Sequence, residues 1–272
     1  MVSDFISADY GWLSSPDGTE SARVLFRPGA NQEGYFTNED ILRQVDNAIN
    51  ILQKYYPNDN HLFIFDNATI HTKRPPGSLS ARHMPKNTPK LNPKKPEKEV
   101  NWLVEVDVIG EKGRPIYGPD RKKLKKRVRM ADAVLLNGEP QPLYFPEGHP
   151  QAGVFKGMAA ILTERSFFEA TLNAQCKDFK CPGGKVDCCC HHFLFNQPNF
   201  AAVKSTLEMR CQERGCPALF LPKFHPELNP IEQCWCYVKL MYHGFPLSPK
   251  EVVMHSHVTD VLGAISLKHI RQ

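Results

Sequence analysis

The sequence predicts a mixed α/β fold, and three observations carry that prediction. Short apolar stretches open the chain between turn signals, and a long segment with helical spacing follows them. An apolar run then ends abruptly in an acid, and a second such run, far along the chain, leads through a proline-broken loop into another helix. Elements alternating in this way belong to one mixed domain, not to separate all-α and all-β parts.

The first strand is the apolar start around Met1, Val2 and Phe5, with Asp4 inside it. Tyr10 to Leu13 and Ala22 to Phe26 are the next two, flanking the turn signal Ser-Pro-Asp-Gly at 15 to 18. Thr37 is placed to cap a helix whose first turn carries Glu39 and Asp40. Ile41, Val45, Ala48, Ile49, Leu52 and Tyr55 recur on one face, and Pro57 lies beyond its end. The strand His61 to Phe65 ends at Asp66.

After Asp66 the alternation stops. Residues 73–130 are rich in proline and lysine, with one β-like stretch from Trp102 to Ile109, and order is expected to be poor from Pro75 to Pro96. Helical spacing returns at Phe155 to Glu164 and again at Gln197 to Cys211. Leu219 to Leu221 is a buried strand. Asn229 at the cap position, Pro230 at the first helical position and Glu232 at the third then open a helix that carries Trp235, Val238, Met241 and Tyr242. A last amphipathic stretch, Val252 to Ile270, packs on the core or on a second protomer of a homodimer. The organisation read from this is a core in two parts, 1–72 and 218–272. Between them lies an insertion, 73–217, with a basic part at 73–130 and a Cys-rich part at 176–192.

Composition narrows the function classes. Apolar residues make up 41% of 272, enough for a sizeable core, and there is no long apolar run or charged-then-apolar leader to suggest a membrane span or secretion signal. Nine cysteines in such a chain favour reduced thiols or a metal over a disulfide framework. The net charge of +5 conceals an asymmetry, because the segment from Lys73 to Arg129 holds seventeen Lys and Arg against six Asp and Glu. Such a segment suits a polyanion, or is a solvated, partly disordered insertion whose charges only keep it soluble. The candidate contacts are Lys73, Arg74, Arg121, Lys122, Lys123, Lys125, Lys126, Arg127 and, elsewhere, Lys223. The run RKKLKKRVR also fits a nuclear-localisation signal, a charged helix face or a solvated loop. Nothing in the sequence calls for a small organic cofactor.

Two clusters carry chemistry. Cys176, Cys181, Cys188 and Cys190, within C-x4-C-x6-C-C-C-H-H, offer thiolates for a structural Zn²⁺, with Pro182, Gly183 and Gly184 supplying a turn between pairs. Ordinary buried thiols are the other reading. Asp66 and Glu232 are carboxylates at the ends of core elements. The plain readings are turn chemistry for Asp66 and a capping box with Asn229 for Glu232.

PELNPIEQCW resembles the third-carboxylate motif of mariner-type DDE transposases, and HLFIFDNATIH resembles their second. EGYFTNEDIL, SLSARHMPK, CCCHHFLFNQPNF and LPKFHPELNPIEQ look like the fungal DDE superfamily endonucleases, so the likeness runs from about Ser3 to Tyr242. It implies an RNase H-like mixed sheet flanked by helices, interrupted here by the long basic and Cys-rich insertion. It also implies two Mg²⁺ or Mn²⁺ ions on Asp4, Asp66 and Glu232, and cleavage and transfer of DNA strands in the nucleus. Asp9 is the fallback for the first acid and Glu227 for the third, with Asn67, His71 and Asn229 in support. Two departures stand out. The interval from Asp66 to Glu232 is longer than in the family, and no helix-turn-helix module precedes Asp4. The expectation is therefore a catalytic domain truncated at its N-terminus, or else an inactive, domesticated nucleic-acid-binding remnant with a zinc site.

Overall fold

The structure, a computed structural model, describes residues 1–29, 32–90, 101–110, 113–167 and 172–271. The strands β1 (Val2–Ser3), β2 (Ile6–Ser7), β3 (Gly11–Trp12) and β4 (Val24–Leu25) precede helix α1 (Asn38–Tyr55) and strand β5 (Phe63–Phe65). Next come β6 (Val104–Asp107), β7 (Lys125–Val128), β8 (Ala133–Val134) and β9 (Pro140–Gln141). Helices α2 (Met158–Glu164), α3 (Cys190–Phe195), α4 (Pro198–Ala201) and α5 (Thr206–Glu213) follow. The chain ends with β10 (Ala218–Phe220), α6 (Pro230–Tyr242), α7 (Glu251–Ala264) and α8 (Leu267–Ile270). The fold is mixed α/β, with the strands paired in two-stranded sheets. Two compact units form, Met1–Lys73 with Lys204–Gln272, and Arg74–Val203.

In the first unit, α1 starts where Thr37 leaves the extended region. Its amide and hydroxyl both donate to the Asp40 carboxylate, at 2.7 and 2.8 Å, which satisfies groups the first turn would leave open. The helix buries Ile41, Val45, Ala48, Ile49, Ile51 and Leu52 against Phe63 and Phe65 of β5 and Leu207 and Cys211 of α5. Strand β5 alternates as its period requires, Phe63 and Phe65 inward and Ile64 outward. Asp46 on α1 accepts from Arg210 at 2.6 Å and Arg214 at 3.3 Å, fastening α5 alongside. These helices support the pairing of β5 with β10, which is parallel, Phe63 opposite Ala218 and Phe65 opposite Phe220. The opening strands pair antiparallel, β1 with β4 and β2 with β3. A further apolar cluster joins Trp235 and Val238 of α6 to Val261 and Leu262 of α7.

The second unit has its own core, including Leu79, Met84, Met130, Leu143, Tyr144, Phe155, Ile161, Leu162, Cys190 and Leu194. Residues 75–90, expected to be poorly ordered, contribute three buried side chains to it, Leu79, Ala81 and Met84; residues 91–96 lie outside the described residues. Part of the anchoring is backbone: the amides of Met158 and Ala159 donate to Pro85 and Lys86 at 3.0 and 2.9 Å. That approach needs Gly157, at φ +86°, since a Cβ there would sit 2.5 Å from the Asn87 carbonyl carbon.

Three expectations are corrected here. The basic run is neither a helix face nor a free loop, because Lys125–Val128 is the strand β7, paired antiparallel with β6. Alternate residues of a strand point to opposite sides, so its charges divide between two faces. The single helix expected from Gln197 to Cys211 is two, α4 and α5. Ser205 starts the second, its hydroxyl accepting from the Glu208 amide at 3.1 Å while Glu208 accepts from the Ser205 amide at 2.7 Å. The last amphipathic stretch also divides, α7 ending at Ala264 and Ser266 capping α8.

Candidate active site and cysteine cluster

Parallel pairing puts the C-terminal ends of β5 and β10 at one edge, and whatever follows each strand emerges there. Asp66 follows β5 directly. After β10 the chain passes Leu221, makes a 3-10 turn at Pro226–Leu228 and enters α6, whose first turn carries Glu232. Asn67 Nδ2 donates to the Leu221 carbonyl at 3.3 Å and so ties the two exits together. A cleft of about 900 Å³ opens at this edge, lined among others by Asp4, Asp66, His71, Asn229 and Glu232. Ligand sites of open α/β sheets favour the carboxyl ends of parallel strands.

Asp66 is half exposed and held by one oxygen. Oδ1 meets His71 Nδ1 at 2.5 Å and the Ala68 amide at 3.2 Å, while Oδ2 has no hydrogen bond among the described residues. The His71 hydrogen bond holds the Asp66 carboxyl below the usual carboxylate range against the opposing effect of partial burial. His71 is itself fixed by Phe65, with ring centroids 5.3 Å apart. His71→Ala is therefore expected to raise the Asp66 titration towards the ordinary value near 3.8, read by NMR of the side-chain carboxyl carbon. An unmoved midpoint would remove His71 as the cause.

Glu232 does not form the expected capping box. Asn229 makes no side-chain cap bond; its backbone is engaged instead, the amide donating to the Pro226 carbonyl at 2.9 Å and the carbonyl accepting from the Glu232 amide at 3.0 Å. The Glu232 side chain is exposed, with no hydrogen bond or ion pair among the described residues. Glu227 is on the turn before α6 and bonds to His225 Nδ1 at 2.8 Å, which lowers its carboxyl from the ordinary value.

Asp4 differs from both. Its side chain is 0% exposed and both oxygens are taken, Oδ2 by Arg23 Nε at 2.6 Å and Oδ1 by the Phe5 amide at 2.8 Å. Burial pushes its carboxyl up from the usual range, and the charge and hydrogen bond of Arg23 act against that. Arg23 also stacks on the Trp12 ring at 5.1 Å. Sequence reading passed over this arginine, although it stands in the otherwise apolar run Ala-Arg-Val-Leu-Phe. Asp9 lines the same cleft, and Asp17 is a turn residue, its carboxylate accepting from Ser15 and Thr19. The three acids line one cleft but do not gather within 4.8 Å of one another as the cysteines below do.

The basic candidates are spread over both units. Lys73 pairs with Glu39 at 2.8 Å, and Lys223 is exposed in the loop after β10, both in the unit that holds the acids. In the other unit Arg74 donates to the Leu79 carbonyl, and the β6–β7 hairpin carries its own acids. Lys123 meets Asp107 at 3.1 Å, Lys125 meets Glu105 at 3.6 Å and Lys122 meets Asp120 at 4.0 Å. Arg127 donates to the Asn101 carbonyl at 2.5 Å, Arg121 makes the turn at φ 60°, and Lys126 projects from the strand.

Four cysteines of the second unit come together as a metal ion requires. The sulfurs of Cys176, Cys181, Cys188 and Cys189 all lie within 4.8 Å of one another. The fourth is Cys189 and not Cys190, as sequence spacing suggested. Cys189 is the extended residue just before α3, whereas Cys190 is its first helical residue and turns wholly into the apolar core.

The chain matches no family model, no curated protein and no solved structure.

Proposed function

We propose that this chain carries the catalytic domain of a DDE-type endonuclease or transposase of the mariner-related kind. Its first unit would be an RNase H-like core that cuts and transfers DNA strands with Mg²⁺ or Mn²⁺. The observation that supports this reading most is the parallel β5–β10 pair, which brings Asp66 and Glu232 from distant parts of the chain to one edge and one cleft.

The residues of the cleft fit hard divalent ions in part. Asp66 offers Oδ2 while His71 and Ala68 steady its other oxygen, and Glu232 has an unengaged carboxylate on a helix start. Asp66 and Glu232 would hold such ions together with water, so a tight cluster of side-chain oxygens is not required. When bound, such ions activate the attacking oxygen and stabilise the leaving one. The chain's own contribution is to hold Asp66 ionised well into acid and to present Lys73 and Lys223 from the same unit to backbone phosphates.

Nicking of supercoiled plasmid by the full chain with Mn²⁺ tests the proposal. Glu232→Gln is expected to lower the rate at least about a hundredfold, the scale of a lost charge contact to a metal. A folded chain that does not nick, or a variant that nicks as well as the parent, would overturn it. A second reading, a nucleic-acid-binding protein without catalysis, is favoured by one observation. The first acid is shut from solvent and neutralised by Arg23. In that case DNA retardation survives both Glu232→Gln and Asp4→Asn while nicking is absent throughout.

A further inference from the structure

We propose that Cys176, Cys181, Cys188 and Cys189 bind one zinc ion as four thiolates, and that this ion is structural, locking residues 176–189 onto the start of α3. The inference stands apart from the reading of the cleft, because these residues belong to the other unit.

The geometry comes from local turns. Cys176 precedes a 3-10 turn, Lys177–Phe179, that returns the chain at Cys181. A second turn closes with the Lys185 amide on the Pro182 carbonyl at 3.3 Å, Gly184 taking φ +76°, and brings the chain back at Cys188. Cys189 then stands at the mouth of α3, its carbonyl accepting from the Phe193 amide at 2.9 Å. All four thiols are unpaired, so their approach is not explained by a disulfide. A tetrahedral site with Zn–S bonds near 2.3 Å needs sulfurs about 3.8 Å apart, and the observed spread within 4.8 Å closes to that by small side-chain rotations.

The base of the loop is firm and its body is not packed. Cys190 donates to the Asn173 carbonyl at 3.0 Å and His191 to that of Ala174 at 3.1 Å, and Cys190 and Leu194 are fully buried. In contrast Lys177, Asp178, Lys180 and every residue from 182 to 187 are exposed, Val186 at 57%. A loop whose described residues bury so little apolar surface needs another source of order, and a metal supplies it. Four soft sulfur donors select zinc over magnesium or calcium and leave no open position for catalysis. His192 Nδ1 lies 3.1 Å from Cys188 Sγ and serves as a hydrogen-bonding neighbour that orients this ligand.

The test is metal analysis with zinc X-ray absorption on the full chain purified without chelators. The expected result is one zinc per chain with four sulfur neighbours. Cys189→Ser is expected to lose the ion while Cys190→Ala keeps it, and His192→Ala is expected to keep it with roughly 10–100-fold weaker affinity. The absorption spectrum of the unaltered chain needs no variant, so a misfolded Cys189→Ser leaves the test intact. Zinc absent from the folded chain, a nitrogen among the neighbours, an iron–sulfur chromophore, thiols found oxidised in pairs, or zinc retained in Cys189→Ser would each overturn the proposal.

Discussion

Asp66→Asn is expected to lower Mn²⁺-dependent nicking at least about a thousandfold, close to 4 kcal/mol at the transition state. The substitution is nearly isosteric, and the amide oxygen can still accept from the Ala68 amide that now meets Oδ1 at 3.2 Å. What it removes is charge. Asparagine offers one neutral oxygen to a divalent ion, and an NH2 group oriented towards it repels. His71, now bonded to a carboxylate at 2.5 Å, would face a neutral partner. Stability is expected to change little, because Asp66 is half exposed and an exposed ion pair contributes about 1 kcal/mol or less. Matched thermal melts beside the rate measurement separate the two effects. A large loss of melting temperature with proportionate loss of nicking would make Asp66 structural.

Arg23→Ala is expected to have the reverse profile, a large loss of stability. Removing the guanidinium leaves a fully buried carboxylate with only the Phe5 amide, and breaking a buried pair in this way costs about 3–5 kcal/mol. The cost depends on pH in a definite direction. Burial already raises the Asp4 carboxyl above its ordinary 3.8, so the folded state binds that proton more tightly than the unfolded one. Stability then falls as pH rises from the unfolded value through the folded one. Without Arg23 the folded value moves further up and the window widens. Urea melts should thus show the largest deficit near neutral pH and a smaller one in mild acid, where Asp4 is protonated. Equal deficits at pH 5 and pH 7.5 would dismiss the buried charge as the cause and leave lost packing on Trp12.

The elements legible in the sequence were those whose signals are local. Thr37 with Asp40, the apolar run before Asp66, and Asn229 with Pro230 each mark a boundary through the backbone chemistry of a few adjacent residues, and the structure has its boundaries there. Features that depend on direction or on distant neighbours were not legible. Cys189 and Cys190 are indistinguishable in spacing; only the start of α3 sends one sulfur to the cluster and the other to the core. Arg23 meets Asp4 through the pairing of β1 with β4, which no short window contains. The core of the second unit was hidden because its apolar residues, such as Leu79, Ala81 and Met84, are scattered singly among prolines and polar residues.

The parallel pairing of β5 with β10 also sets a timetable for synthesis. Its two strands are separated by roughly 150 residues, which at about 5–20 residues per second is about eight to thirty seconds on a ribosome. Throughout that interval the aromatic strand Phe63–Phe65 has left the exit tunnel without the partner that covers its edge, while the residues between can already condense around their own core. The nascent chain therefore completes its inserted unit before its catalytic candidate. The newly made protein is most exposed to self-association, and most in need of a chaperone, just before Ala218–Phe220 emerges.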